Sequence, residues 1–177
     1  MQCFVSLAAI VIMAAASFGC AGQPVVWNAF PTSAAANAAD VDVTLDPLKQ
    51  GNSFYSAFRL TVKNTGDAPM AVDWNRSGYL FNDKPGGALW FNGITAEAIR
   101  ERKVPADDIA PGATLSRVVA PLQFLAISPL KQSTRNQAAF SAGQLPAGKN
   151  SIRLVLVRGE TARPVSLSIT ISAHDAD

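Results

Sequence analysis

Apolar and polar residues alternate in short runs through most of the chain. Val41, Val43 and Leu45 alternate with Asp42, Thr44 and Asp46. Phe58, Leu60 and Val62 alternate with Arg59, Thr61 and Lys63, and Val165, Leu167, Ile169 and Ile171 alternate with Ser166, Ser168, Thr170 and Ser172. A period of two puts one set on a packed face and the other toward water, which is the pattern of a half-buried β-strand. Further strands are predicted near 70–74, 78–82, 88–92, 114–120 and 151–157. Asn64-Thr65-Gly66-Asp67-Ala68-Pro69, Ala110-Pro111-Gly112 and the stretch from Arg158 to Arg163 read as turns between them. Asp83-Lys84-Pro85-Gly86-Gly87 reads as the mobile tip of a hairpin joining 78–82 to 88–92. No helical period runs beyond a few turns. One-sided alternation argues against a parallel sheet, whose strands would be apolar throughout. The expectation is an antiparallel β-sandwich of about seven to nine strands over residues 40–173. A domain of about 135 residues can bury a self-sufficient core.

The first 39 residues differ. The first charged side chain is Asp40, so all 15 basic and 13 acidic residues lie from there onward. Phe4 to Phe18 is an almost unbroken apolar run, short for a membrane span, which needs about 20 residues, and well sized for a signal-peptide core. Small residues follow it, Gly19-Cys20-Ala21-Gly22. The segment before the run, Met1-Gln2-Cys3, carries no Lys or Arg. Residues 20–39 are small and uncharged and read as a flexible tether, with Trp27 and Phe30 expected to dock on the domain. The organisation expected is signal peptide 1–19, tether 20–39, sandwich 40–173 and polar tail 174–177.

Gly19-Cys20 after an apolar core resembles the lipobox of bacterial lipoproteins, in which the cysteine becomes the lipidated first residue. Ser17 departs from that pattern, which has Leu three residues before the cysteine. The alternative is ordinary cleavage after Ala21. Cys3 is removed by either cleavage. Phe58 to Pro69, the Ile109-Ala110-Pro111-Gly112 turn and the Pro146-Ala147-Gly148 turn before Ile152–Val157 are similar to strand-turn units of bacterial immunoglobulin-like envelope domains. The resemblance implies an immunoglobulin-like sandwich. It lends no catalytic residues. Together the two resemblances imply a protein of the bacterial cell envelope, lipid-anchored and facing the periplasm or the cell surface, or else secreted or periplasmic.

Charge and composition narrow the chemistry. A net charge of +2 without a basic block gives no nucleic-acid footprint. The two cysteines both fall in the first 20 residues, so the domain carries no disulfide framework and no cysteine-built zinc site. The single histidine, His174, lies in the expected tail, and the domain's serines have no histidine to activate them. Pro85-Gly86-Gly87 lacks the lysine and helix of a phosphate-binding loop. No catalytic residue, metal ligand or cofactor is expected.

Candidate binding residues are Trp74, Arg76, Tyr79 and Trp90. Asp73-Trp74-Asn75-Arg76 joins an acid, an indole and a guanidinium that could grip a sugar or polar peptide, or simply form a capped turn over a core tryptophan. Tyr79 and Phe81 share one face of their strand, whereas Trp90 and Phe91 must face opposite sides, so one aromatic points away from the core. The run Glu97 to Asp108 holds seven charges and reads as a solvated face, with Asp107-Asp108 the one paired acid worth testing. Leu122 to Ala142 has no clear pattern; it is either a functional loop or a poorly patterned strand and crossover. The expected function is that of a non-enzymatic envelope protein whose partners are other envelope proteins and, through its lipid, the membrane. The alternative is a small-ligand or glycan-binding module using exposed aromatics.

Overall fold

The computed structural model describes residues 25–38, 40–127 and 140–176. Cys20, with the signal segment before it, lies outside the described residues. Fourteen strands are present among those described: β1 Val25–Phe30, β2 Ala34–Ala38, β3 Val41–Lys49, β4 Tyr55–Asn64, β5 Met70–Val72, β6 Gly78–Phe81, β7 Lys84–Pro85, β8 Leu89–Phe91, β9 Asp107–Ile109, β10 Thr114–Pro121, β11 Leu125–Ile127, β12 Phe140–Ala142, β13 Gly148–Arg158 and β14 Thr161–Asp175. A single short α-helix, α1, spans Ala96–Arg100. None of the described helices is long and apolar enough to cross a membrane.

Two antiparallel sheets pack into a β-sandwich. One runs β1-β14-β13-β5-β9, with β6 also on β13 and β7 on β6; the other runs β2-β3-β4-β10-β8. The small β11–β12 pair stands apart. The alternation in the sequence is what builds the core. Val41, Val43, Leu45, Phe58, Leu60 and Val62 from one sheet meet Ile152, Leu154, Leu167, Ile169 and Ile171 from the other, all almost fully buried. Their β-branched and branched side chains suit a pleated surface packed on one face. Tight turns follow where the sequence put them, and Gly112 and Gly159 take positive φ there.

Three expectations are corrected. Residues 25–38 are not free spacer. β1 pairs with β14 from Val25↔Asp175 to Phe30↔Thr170, and β2 pairs with β3. Alanine and other small residues show no polar–apolar contrast, so these strands are defined by their partners and not by their own period. Trp27 packs against the core, while Phe30 is 80 % exposed. Second, His174 is not in a loose tail but sits in β14 opposite Val26. Third, 78–82 and 88–92 form no hairpin with each other. β6 pairs with β13 and β8 with β10, so the two strands belong to opposite sheets. The intervening residues hold β7, which turns back on β6. Part of Leu122–Ala142 is regular, in keeping with its reading as a poorly patterned strand: a 3-10 turn at Leu122–Phe124, then β11 and β12. The remainder of that stretch lies outside the described residues.

Candidate functional site

The loop between β5 and β6 is where the chain departs from regular pairing. β5 covers Leu156 and Val157 of β13, and β6 covers Asn150 to Arg153. Between them the 73–77 loop must satisfy the backbone of Val155. It does so with the Asp73 amide, which donates to the Val155 carbonyl at 2.9 Å, and with the Ser77 hydroxyl, which accepts from the Val155 amide at 2.9 Å. Ser77 Oγ in turn donates to the Asp73 carbonyl at 2.6 Å. The Asp73 carboxylate caps the loop, accepting from the amides of Asn75 and Arg76 at 3.0 and 3.1 Å and from Arg76 Nε at 2.6 Å. That is an Asx turn, the local use for which aspartate is suited.

Asn75 ties this loop to the segment after α1. Its Nδ2 donates to the Val104 carbonyl at 2.8 Å and its Oδ1 accepts from the Val104 amide at 3.0 Å. α1 itself is capped at its start by Thr95, whose Oγ1 accepts from the Ala98 amide at 3.1 Å. It ends in a left-handed turn. Arg102 has φ +55, its amide donates to the Ile99 carbonyl at 3.1 Å, and the Lys103 amide donates to the Ala98 carbonyl at 2.8 Å. Glycine is the usual occupant of that position, because a Cβ costs about 1 kcal/mol in left-handed backbone.

Two adjoining hollows open around this frame. The first, about 260 Å³, is lined by Trp74, Leu89, Ile99 and Val104 with Asn75 and Arg102 at its edge. The second, about 440 Å³, lies on the outer face of the larger sheet. Val155, Ala162 and Pro164 floor it, and Asn75, Arg76, Arg102 and Arg153 surround them. Val155 and Pro164 are register partners on β13 and β14, which places both on that face. Asn75 and Arg102 line both hollows, so the two lie side by side as a composite groove, one part walled mainly by apolar side chains and the other ringed by cations. None of the lining residues is a carboxylate. The side chains of Arg102 and Arg153 have no hydrogen-bonding or ionic partner among the described residues.

Of the four candidate residues, the structure brings two to this groove, Trp74 and Arg76. Trp74 is nearly buried, 4 % exposed, and its indole does two jobs. Its ring lies 4.6 Å from that of Phe91 between centroids, and its Nε1 donates to Asp107 Oδ2 at 3.0 Å. Asp107 also takes Arg117 from the opposite sheet in a two-point pair, Nε at 3.0 Å and Nη2 at 2.6 Å. That bond holds the Arg117 guanidinium even more firmly protonated than usual. Asp107 thus clasps the two sheets together. Asp108 next to it is exposed, so the neighbouring acids point apart and do not form a carboxylate pair.

Tyr79 and Trp90 lie elsewhere. Tyr79 is 1 % exposed and donates its hydroxyl to Asn150 Oδ1 at 2.5 Å. Burial pushes its phenol well above the ordinary value. Gly86 lies against its ring so closely that a Cβ there would come within 2.5 Å of it. Tyr79 is a core anchor. Trp90 is half-buried on the side of β8 opposite Leu89 and Phe91, and it lines neither hollow.

A third hollow, about 220 Å³, sits beside Asp40, Arg158 and Arg163. Its cations are already engaged. Arg158 pairs with Asp40 at 2.9 Å and donates to Asn64 Oδ1 at 3.1 Å, and Arg163 pairs with the same aspartate at 3.2 Å. Among the described residues no three histidine, cysteine, aspartate or glutamate side chains gather to hold a metal ion.

Sequence reasoning missed Arg102, Arg153 and the structural part of Asn75. Arg102 sits inside a run of mixed charge, and Arg153 is one polar position of an alternating strand. Nothing in the sequence reading marked the helix Ala96–Arg100 after which Arg102 takes its left-handed turn. No protein-family model matches the chain, and neither a curated protein nor a solved structure matches it.

Proposed function

We propose that this chain is a non-enzymatic binding module of the bacterial cell envelope, an immunoglobulin-like sandwich held at a membrane through Cys20, and that its recognition surface is the groove between Trp74 and Arg153. The groove carries the reading: a mainly apolar hollow beside a shelf ringed by three guanidiniums, two of them without partners among the described residues. Such a combination of apolar wall and a few placed polar groups is what ligand sites use. The groups facing it are arginine, an indole and an amide, which bind but do not exchange protons near neutral pH. Ser77 Oγ is spent on Val155 and Asp73, the Asp73 carboxylate is spent on capping its own loop, and the Asp107 carboxylate is spent on Trp74 and Arg117. Those engagements support binding over catalysis. The signal-like run and Gly19-Cys20 support the envelope address. The groove also favours a defined recognition site over the exposed-aromatic platform, because Tyr79 is buried and Trp90 does not line it.

The test is an amide-shift titration of the protein with a panel of cell-wall fragments and peptides from envelope proteins. Shifts concentrated at 74–77, 87–89, 99–104 and 153–155 are expected with some members of the panel. Shifts elsewhere only, or none across the panel, overturn the reading.

A further inference from the structure

We infer that the groove takes an acidic peptide segment, with its carboxylates on Arg76, Arg102 and Arg153 and a neighbouring bulky apolar side chain in the hollow beside Trp74. This rests on the groove being the recognition surface and adds the class of ligand.

Three observations carry it. The first is charge. The three arginines come from three separate places, the β5–β6 loop, the end of α1 and the middle of β13, and no acid lines the shelf they share. The Arg76 guanidinium gives only Nε to Asp73, and the side chains of Arg102 and Arg153 are without partners among the described residues. Guanidinium is the group best matched to carboxylate, because its fork offers two parallel N–H bonds.

The second is the backbone of Arg102. It holds a left-handed conformation that glycine would adopt without strain, and its side chain repays nothing to the fold by any hydrogen bond or ion pair among the described residues. Strain kept at a place where the side chain faces a hollow points to a use outside the fold. Asn75, by gripping Val104 two residues on, fixes where that side chain emerges.

The third is shape. The shelf of about 440 Å³ is several times the volume of one phosphate group and lies open along the sheet, floored by Val155, Ala162 and Pro164. A single small anion would leave most of it empty. An extended segment with spaced acids covers it, and the shelf shares Asn75 and Arg102 with the neighbouring hollow of Trp74, Leu89, Ile99 and Val104. Alternating acidic and apolar side chains on an extended strand match that change of lining.

The test uses the full-length protein in neutral detergent and a fluorescein-labelled peptide array in which acidic residues stand at varied spacing from a Leu or Phe. Acidic members should bind, and their Asn/Gln counterparts should bind about tenfold more weakly or worse. Added salt should weaken the acidic members alone. Arg102→Gly and Arg153→Gln should each lose about tenfold in affinity, while Arg59→Gln, on the other sheet, should change nothing. Arg102→Gly removes strain and Arg153 is exposed on its strand, so both variants keep the fold. Equal binding of acidic and neutral peptides, binding indifferent to both arginines, or no binding by any acidic member overturns the inference. So does arginine-dependent binding of pyrophosphate or phosphatidylglycerol vesicles without peptide binding, which would assign the groove to phosphate. If cell-wall fragments or envelope peptides still shift the groove amides while the acidic array fails, the recognition surface stands and only its ligand class falls.

Discussion

Asn75 and Val104 face each other as two paired strand residues would, although 29 positions separate them and one of the partners is a side chain. The amide group of Asn75 copies a peptide unit, with donor and acceptor at the right spacing to close both bonds. Through this pair the β5–β6 loop and the segment leaving α1 become one wall, and the groove exists because that wall is fixed.

Asn75→Ala should therefore cost more than an ordinary loop substitution. It leaves the Val104 amide and carbonyl without their partner at a part-buried place, a loss of about 2 kcal/mol. Urea denaturation would show it as a lower midpoint at unchanged slope. A change below about 0.5 kcal/mol would mean that water replaces the side chain freely.

Arg102→Gly should move stability the other way. Relief of about 1–2 kcal/mol of left-handed strain, set against about 0.4–1 kcal/mol for the freer unfolded chain, leaves a net gain of about 0.5–1 kcal/mol. For a chain of this size that corresponds to about 2 °C in Tm. A variant that is more stable yet binds less would separate what the fold needs from what the groove needs. Loss of stability would show that the arginine side chain supports the fold after all.

Tyr79 supplies a prediction with a definite direction in pH. Its phenol is buried against Gly86 and bonded to Asn150, so the folded state holds its proton well above the ordinary value of 10.0. The unfolded chain releases that proton first. The preference of the fold for neutral tyrosine is thus fully present below pH 10 and is lost as pH rises beyond it, at up to about 1.4 kcal/mol per pH unit. Tyr79→Phe should lower stability at neutral pH by about 1 kcal/mol, through the lost bond to Asn150, and should flatten the alkaline slope. Denaturation curves of both proteins between pH 8 and about 12 check this, with the difference between them as the readout. Equal slopes would mean that the phenol reaches water in the folded state.

Much of this architecture was legible because burial on one face stamps a period of two on a strand. Val41 to Leu45, Phe58 to Val62 and Val165 to Ile171 carry that stamp and form core strands as expected. Pairing is a different matter. Nothing local in Gly78–Phe81 says that its partner is β13, 71 residues on at Tyr79 and Asn150, and not the strand just after it. The candidate site was legible by half. Trp74 and Arg76 stand in a turn whose residue types announce themselves. Arg102 and Arg153 look like ordinary surface charges until the fold sets them around one shelf.

Membrane attachment has its own test, independent of the groove. Protein purified from membranes of an expressing diderm bacterium should have the mass of residues 20–177 plus a diacylglyceryl thioether and an amide-linked acyl chain. Cys20→Ala should abolish the added mass and release the protein from the membrane. An unlipidated species beginning at Gly22 in the unaltered protein would replace the anchor with ordinary cleavage.

The first strands give the sharpest contrast between a spacer and a working part of the fold. A chain beginning at Asp40 would lack β1 and β2 together. It would strip the outer edge of β14 over Thr170 to Asp175, and the edge of β3 over Val41 to Leu45, of their hydrogen-bond partners. It would also uncover the core where Trp27, Ala29 and Ala34 pack. Two open edges beside freshly exposed apolar side chains invite association with other chains. The loss should be on the order of 3 kcal/mol or more, because it combines unpaired backbone with exposed apolar area. A chain beginning at Val25 keeps both strands and should unfold at the same denaturant concentration as the longer protein. Equal midpoints for the Asp40 and Val25 chains would return residues 25–38 to the status of tether. A lower midpoint for the Asp40 chain alone, with concentration-dependent light scattering, would establish that this stretch belongs to the sandwich.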